Sequence, residues 1–218
     1  MKSSVTIPCD CGRQLTLESS GTQPFISPVC PNCHTTIFVI EPRGNPISIR
    51  ILNRAWAELE NKDFTLVIVF SAMAVECELA YLFFKWKELE LSATRTPAEA
   101  DKNEWEKQWR DCLSVTARLD EVSKLLTEEA FGSFLSHNGA LLKPLHNKFP
   151  NSRNPASLKD FLQKEFFDKR NKIVHRGQIN FQQADAEQCF SLAATLRQIL
   201  SEMDSQRNKR LQAELKAG

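Results

Sequence analysis

The chain has 218 residues, of which 42% are hydrophobic and 25% charged, and its formal net charge is +1. This composition suits a globular protein with one sizeable core and a small appendage, so it excludes a wholly disordered chain. Because the charges nearly balance, the net charge does not indicate any class of binding partner.

The N-terminus contains no apolar run before the first cysteine at position 9. A secretory signal and a lipid-attachment leader both need one, so neither is expected. The simplest location is the cytoplasm. Thiols stay reduced there, so paired cysteines indicate a metal site before they indicate disulfides.

Four of the seven cysteines form two close pairs near the N-terminus: Cys9, Cys11, Cys30 and Cys33. Short β-type runs, at residues 14–17 and 36–40, lie on either side of a turn-rich region. Four sulfur ligands on two turns can hold one structural Zn²⁺ in a closed tetrahedral site. The pattern therefore predicts a β zinc ribbon over residues 1–42 with one zinc per chain.

The alternatives at this site are reduced structural thiols or a redox pair, and His34 could compete as a ligand, although a surface histidine is favoured. The sequence Cys-x-Cys-Gly followed by Cys-Pro-x-Cys resembles small bacterial zinc ribbons attached to larger domains. Such ribbons bind nucleic acid or protein, and the resemblance does not choose between these partners.

Two prolines and a glycine at positions 42–46 indicate a linker over residues 43–48. After it, glycine almost vanishes and apolar residues recur at helical spacing, which predicts an all-α bundle over residues 49–204. The expected helices are at 49–60, 64–91, 98–130, 157–176 and 182–204, with a loop at 131–155 that contains at most one short helical turn, and a flexible basic tail at 205–218. Gly177 is placed to end the fourth helix. The fold class is thus mainly α, with a small N-terminal β ribbon.

The apolar stretch at residues 64–84 is long enough to span a bilayer. Glu76 and Glu78 interrupt it, and each carboxylate costs about 3 kcal/mol to insert. Ser71, Glu78 and Lys85 would form a polar edge. A core helix is therefore favoured and no membrane association is expected.

The densest basic cluster contains Arg170-Asn171-Lys172-Ile173-Val174-His175-Arg176 near a predicted helix end. Cleavage of RNA through the ribose 2′-hydroxyl needs proton transfer and positive charge at the phosphorus. His175 can transfer protons, Arg170 can hold two phosphate oxygens, and Asn171, one turn before His175, can fix the imidazole. Neighbouring cations expected to bind RNA are Lys169, Lys172 and Arg176.

A simpler interpretation is an ordinary helix C-terminus. His175 and Arg176 would then interact with the helix dipole, and Arg170 would pair with Glu165 or Asp168. Residue types alone favour this interpretation.

The sequence Arg170-Asn171-x-x-x-His175, on the penultimate long helix of an all-α domain, resembles the signature of the HEPN superfamily. The resemblance spans residues 49–204 and includes an earlier acidic helix around Glu76, which would be an accessory site residue. It implies a homodimer through the helical domain, with two motif helices facing one shared cleft. This fits a further constraint, because residues five apart on a helix point about 140° away from each other.

The function expected from this resemblance is a metal-independent endoribonuclease, acting in bacterial antiphage defence or in a toxin or stress system, with RNA as substrate and a defence or toxin protein as a further partner. The alternative is a HEPN-like module that binds nucleic acid or protein and dimerises without catalysis. A zinc-dependent hydrolase is disfavoured because four cysteines would leave no open position on the metal.

Overall fold

The computed structural model of the protein describes residues 3–8, 14–19, 25–26, 39–40, 46–92, 96–148 and 155–217. Its four strands are β1 (Ser3–Pro8), β2 (Gln14–Ser19), β3 (Phe25–Ile26) and β4 (Val39–Ile40). The helices are α1 (Pro46–Glu60), α2 (Phe64–Ser92), α3 (Glu99–Asp111), α4 (Val115–Thr127), α5 (Phe131–His137), α6 (Gly139–Lys148), α7 (Pro155–Leu162), α8 (Asp168–Arg176) and α9 (Gln183–Ala217). One π-helical turn, Gln163–Phe167, joins α7 to α8. The protein is therefore mainly α, as the sequence predicted.

The strands form two antiparallel pairs. β1 pairs with β2, with Val5 opposite Leu17, and β3 pairs with β4, with Phe25 opposite Ile40. β2 covers the strand expected at 14–17, and β4 forms the end of the one expected at 36–40. The rest of the expected ribbon lies outside the described residues.

The core of the helical region is organised around α2. This helix packs mainly against α1 and α9, with smaller contacts to α4 and α8. Its largest buried side chains include Ile68, Leu79, Phe83 and Trp86. A helix that is apolar nearly all round has to be covered on most of its surface. By length and composition α2 could also cross a membrane, and 56% of its most apolar window is buried in the structure.

One feature of α2 differs from the sequence interpretation. Glu78, expected on a polar edge, is completely buried, and its carboxylate accepts a hydrogen bond from the hydroxyl of Ser48 on α1. Nε of Arg197 on α9 lies 3.6 Å from the same carboxylate. Ser71 is buried too. The charged side chain is tolerated in the core because a cation and a hydroxyl surround it.

Several expected boundaries were wrong. α1 begins at Pro46, inside the expected linker 43–48, because proline lacks only an N–H that the first helical turn cannot use. The single helix expected at 98–130 is two helices, because the Ser114 hydroxyl accepts from the backbone N–H of Ala117 at 3.1 Å and starts α4 there. The loop expected at 131–155 contains α5 and α6. Burial of Phe131 and Leu135 stabilises α5 by more than the glycines in that segment destabilise it.

The prediction of a flexible tail at 205–218 was also wrong for residues 205–217, because α9 continues through them as a helix. Nη2 of Arg207 lies 3.3 Å from a carboxylate oxygen of Glu90, and its guanidinium lies 5.7 Å from the ring centroid of Trp86. Arg210 donates to the backbone carbonyl of Leu126 at 2.5 Å. Through these contacts the basic end of α9 is attached to α2 and to α4.

Candidate functional site

The motif helix α8 continues directly from the π turn. At this turn the backbone N–H of Asp168 donates to the carbonyl of Gln163, five residues earlier. The neighbouring residues Phe166 and Phe167 are both buried, with ring centroids 4.7 Å apart. The wider π turn brings two consecutive side chains into the core and anchors the start of α8. The single helix expected at 157–176 was therefore wrong, because the π turn divides it, although two adjacent phenylalanines on an otherwise amphipathic helix were a usable signal.

The end of α8 is set by Gly177, as predicted. Gly177 adopts the left-handed conformation, with φ 64° and ψ 23°. Its N–H donates to the carbonyl of Ile173 at 3.0 Å, and the N–H of Gln178 donates to that of Lys172 at 3.2 Å. A side chain with a Cβ would be strained there, so glycine fixes where the helix stops.

Arg170 sits against α2, with its side chain 25% exposed. Nη2 lies 3.8 Å from Oε1 of Glu76, and Nη1 donates to Oδ1 of Asn171 at 3.1 Å. Nε is buried and has no hydrogen-bond partner within the described part of the chain. The guanidinium is therefore held in place on one side and keeps N–H groups that an incoming oxygen could use.

The partner of Arg170 differs from those that the helix-end interpretation expected. Glu165 lies 3.6 Å from the Lys169 ammonium, and Asp168 accepts from the Gln163 side chain at 2.7 Å. Glu76, selected from the sequence as an accessory residue, is the acid that the structure brings to Arg170.

His175 lies about 1.4 helical turns beyond Arg170 and is exposed. Because five residues along an α-helix rotate by about 140°, its ring points away from the Glu76–Arg170 pair. No hydrogen bond or ion pair joins His175 to any residue for which the structure gives side chains. Asn171 was expected to orient this ring, but its carbonyl oxygen accepts from Arg170 instead.

The three cations expected to bind RNA differ in environment. Lys172 and Arg176 are exposed, whereas Lys169 donates to Asp185 at 2.8 Å and lies near Glu165. Burial alone would lower the pKa of Lys169, but the hydrogen bond to Asp185 and the nearby negative charges outweigh it and raise that pKa. The same hydrogen bond lowers the pKa of Asp185. Lys169 is thus engaged within the protein, and two cations are open to a ligand.

The predicted zinc ligands, Cys9, Cys11, Cys30 and Cys33, lie outside the described residues. In the sequence, the first two fall between β1 and β2, and the other two between β3 and β4. Among the residues that the structure does describe, no group of three or more His, Cys, Asp or Glu side chains could hold a metal ion. The zinc site stays a prediction.

The remaining cysteines do not form a reactive site. Cys189 is buried, its thiol lies 3.7 Å from the carbonyl of Glu165, and burial raises its pKa to about 12. Burial also raises the pKa of Cys77 and of Cys112. Since the thiolate is the nucleophile, these thiols are poorly activated.

Comparison of the chain with protein-family models, with curated proteins and with solved structures found no match in any of the three. A function for this chain therefore has to be inferred from the residues of α8 and their neighbours.

Proposed function

We propose that this chain is a metal-independent endoribonuclease of the HEPN type, with Arg170 and His175 as its catalytic residues. The observation that carries the proposal is the arrangement on α8. One helix presents an arginine braced by Glu76 and Asn171, and an exposed histidine with no partner in the described structure.

The chemistry follows from these groups. The 2′-oxygen of a ribose attacks the adjacent phosphorus, the P–O5′ bond breaks, and a 2′,3′-cyclic phosphate remains. His175 can take the proton from the hydroxyl or return one to the departing 5′-oxygen. Arg170 stabilises the charge that develops on the phosphoryl oxygens, and exposed Lys172 and Arg176 attract the RNA backbone.

A single chain leaves Arg170 and His175 pointing in different directions, so we propose a two-fold homodimer with a composite site. In it, Arg170 of one protomer and His175 of its partner act on the same phosphate. Apolar surface beside the motif supports a contact between protomers: Val174 is 51% exposed on α8, and Met73 is exposed on α2. An isologous interface would place two such sites symmetrically.

The test is cleavage of single-stranded RNA in the presence of a chelator, with products analysed for a cyclic phosphate. We expect His175→Ala to lower the rate about a hundredfold or more, since a general acid or base contributes that much. His137→Ala is the matched control, because His137 also lies in the last turn of a helix but pairs with Glu129. Equal rates for His175→Ala and the wild type would rule out the mechanism.

Mixing two inactive variants tests the composite site. Heterodimers of Arg170→Ala and His175→Ala chains contain one site with both catalytic groups, so an equilibrated mixture should recover about a quarter of wild-type activity. A site completed within each chain would recover none.

We further propose that Cys9, Cys11, Cys30 and Cys33 bind one structural zinc. Their positions between paired strands support this, since the two turns of a ribbon carry its ligands. Metal analysis of purified protein should give one zinc per chain, and Cys30→Ser should lose it while α-helical circular dichroism persists. A zinc content near zero under reducing conditions would contradict the ribbon.

The second candidate function is a HEPN-like module that binds RNA or a partner protein without cleaving it. The Glu76–Arg170 contact favours it, since a carboxylate competes with phosphate for the same guanidinium. RNA binding without cleavage would support this alternative. In either case we propose a cytoplasmic protein of bacterial antiphage defence or of a toxin or stress system.

A further inference from the structure

A cavity opens at the end of α8, and its position follows from the path of the chain. α8 runs antiparallel to α2, because Arg170 lies beside Glu76 and the segment after Gly177 returns to the start of α2. There the hydroxyl of Thr65 donates to the carbonyl of Ile179 at 3.1 Å. Between this segment and the turn joining α1 to α2 lies an open cavity of about 660 Å³.

The lining of this cavity is partly polar and partly apolar. Its apolar part is formed by Phe64, Leu66, Ile179 and Phe181, of which two are aromatic. Ile179 is 70% and Leu66 37% exposed, and both phenylalanines are partly buried against the core, so water covers apolar surface that a ligand could cover instead. The volume lies within the usual range for small-ligand sites, about 300 to 1,000 Å³.

The rim of the cavity is polar and carries one open cation. Lys62 is exposed, and its ammonium forms no ion pair within the described part of the chain. Asn61 lies beside it and donates through Nδ2 to the Glu58 carboxylate at 3.4 Å, which leaves its Oδ1 as an acceptor. The carboxylate of Asp63 also lies there; it accepts from the backbone N–H of Leu66 at 3.0 Å and keeps its charge. The charges of Lys62 and Asp63 balance, so a ligand with a flat apolar face and a hydrogen-bonding edge matches this lining.

We propose that this cavity holds one unpaired RNA base next to the phosphate that is cleaved. The proposal rests on the ribonuclease function proposed above and adds that the substrate is single-stranded at this position. The four residues from His175 to Ile179 limit their Cα separation to about 14 Å, so a nucleotide near His175 can reach the cavity. A base still paired in a duplex cannot stack against protein aromatic side chains in this way. Binding in the cavity would let the enzyme select cleavage positions.

The experiment measures binding of the full-length protein to a single-stranded RNA whose riboses are 2′-O-methylated, so that the 2′-oxygen cannot attack. We expect Phe181→Ala to weaken binding about 5- to 100-fold, the usual loss for one base–aromatic contact. Ile179→Gln, at an exposed side chain whose loss should spare the fold, should weaken it in the same direction. Leu113→Ala, at a side chain 93% exposed outside the cavity, is the control and should bind like the wild type.

A second set of RNAs, each with one abasic nucleotide, identifies the base. At one position the abasic RNA should bind as much more weakly as Phe181→Ala does, and combining that RNA with the variant should cause no further loss, because both changes remove the same contact.

Unchanged affinity in both variants, or losses that multiply, would overturn the cavity proposal while leaving the ribonuclease proposal standing. Conversion of a wild-type dimer to monomers by Ile179→Gln would also overturn it, by showing that a second copy covers the cavity. Absence of RNA binding by the wild-type protein would refute both proposals.

Discussion

Two glutamates on α2, only two residues apart, each meet an arginine from a later helix, and the two pairs differ in what surrounds them. Glu78 and Arg197 are 0% and 3% exposed, and Ser48 completes a buried polar group between α1, α2 and α9. Glu76 and Arg170 are 23% and 25% exposed and lie where α8 crosses α2. Residues two apart on a helix point about 200° apart, so one pair faces the core and the other faces the surface.

The difference shows how pairs of the same chemistry serve different purposes. The inner pair, Glu78–Arg197, is closed to any ligand, and loss of either residue leaves an uncompensated charge in the core. The outer pair contributes little to stability because water screens it, but an anion can reach its guanidinium. The inner pair, Glu78–Arg197, is therefore structural, and we propose that the outer pair, Glu76–Arg170, acts at the candidate site.

The largest effect that can test this comparison concerns the inner pair. We expect Arg197→Met to lower the free energy of unfolding by about 3 to 5 kcal/mol, because Glu78 would remain buried without its cation. Urea unfolding followed by circular dichroism measures this. Adding Glu78→Gln should restore much of the loss, since it removes the orphaned charge. A loss below about 1 kcal/mol for Arg197→Met would mean that the inner pair is no more structural than the outer one.

The next effect concerns the outer pair. We expect Arg170→Ala to lower RNA cleavage about a hundredfold, the typical value for a preorganised phosphate contact, and to lower stability by less than about 1 kcal/mol. Cleavage rates and urea unfolding of the same sample give both values. Glu76→Gln is the matched control, because it keeps the arginine and should retain cleavage within about tenfold. Large destabilisation with unchanged cleavage would assign Arg170 to the structure instead.

The smallest effect separates the two lysines of the motif helix. We expect Lys172→Ala to reduce the slope of log affinity for single-stranded RNA against log salt by about 0.7, the value for one phosphate contact. Lys169→Ala should leave that slope unchanged, since Lys169 is engaged with Asp185. Equal slopes for both variants would show that neither exposure nor pairing distinguishes them.

Acid pH checks the pairing of Lys169 separately. The lowered pKa of Asp185 means that this ion pair stabilises the fold above the unfolded-state pKa of about 4, and that the contribution disappears as pH falls through the folded-state pKa. The Lys169→Ala variant should therefore lose less stability than the wild type on acidification.

Sequence patterns predicted the features that depend on local chemistry. The helical spacing located α1 and α2 to within three residues at each end, and Gly177 marked the end of α8 because only glycine takes φ 64° there without strain. Glu76 was selected through the resemblance to HEPN domains, which includes an acidic helix there, and it lies beside Arg170 in the structure. The ribbon cysteines follow from spacing alone and await metal analysis.

Features that depend on tertiary contacts could not be predicted in this way. Nothing local indicates that Ser48 and Arg197, 149 residues apart, meet around Glu78. The end of α9 looked polar enough to leave the fold, but it contacts Glu90, Trp86 and Leu126, and Leu211 packs against the core. The break before α4 depended on one serine cap, which competed with a helical pattern on both sides.

The π turn at Gln163–Phe167 acts as an angular spacer. It contains about one residue more than an α-helical turn, so every side chain after it is rotated by about 100° relative to an uninterrupted α-helix. Arg170 faces Glu76 in this rotated frame. Shortening the turn by one residue would hardly change the length or composition of the helix, yet it would turn the arginine away from α2. The number of residues before α8, as much as their identity, thus sets which side of the helix carries the site.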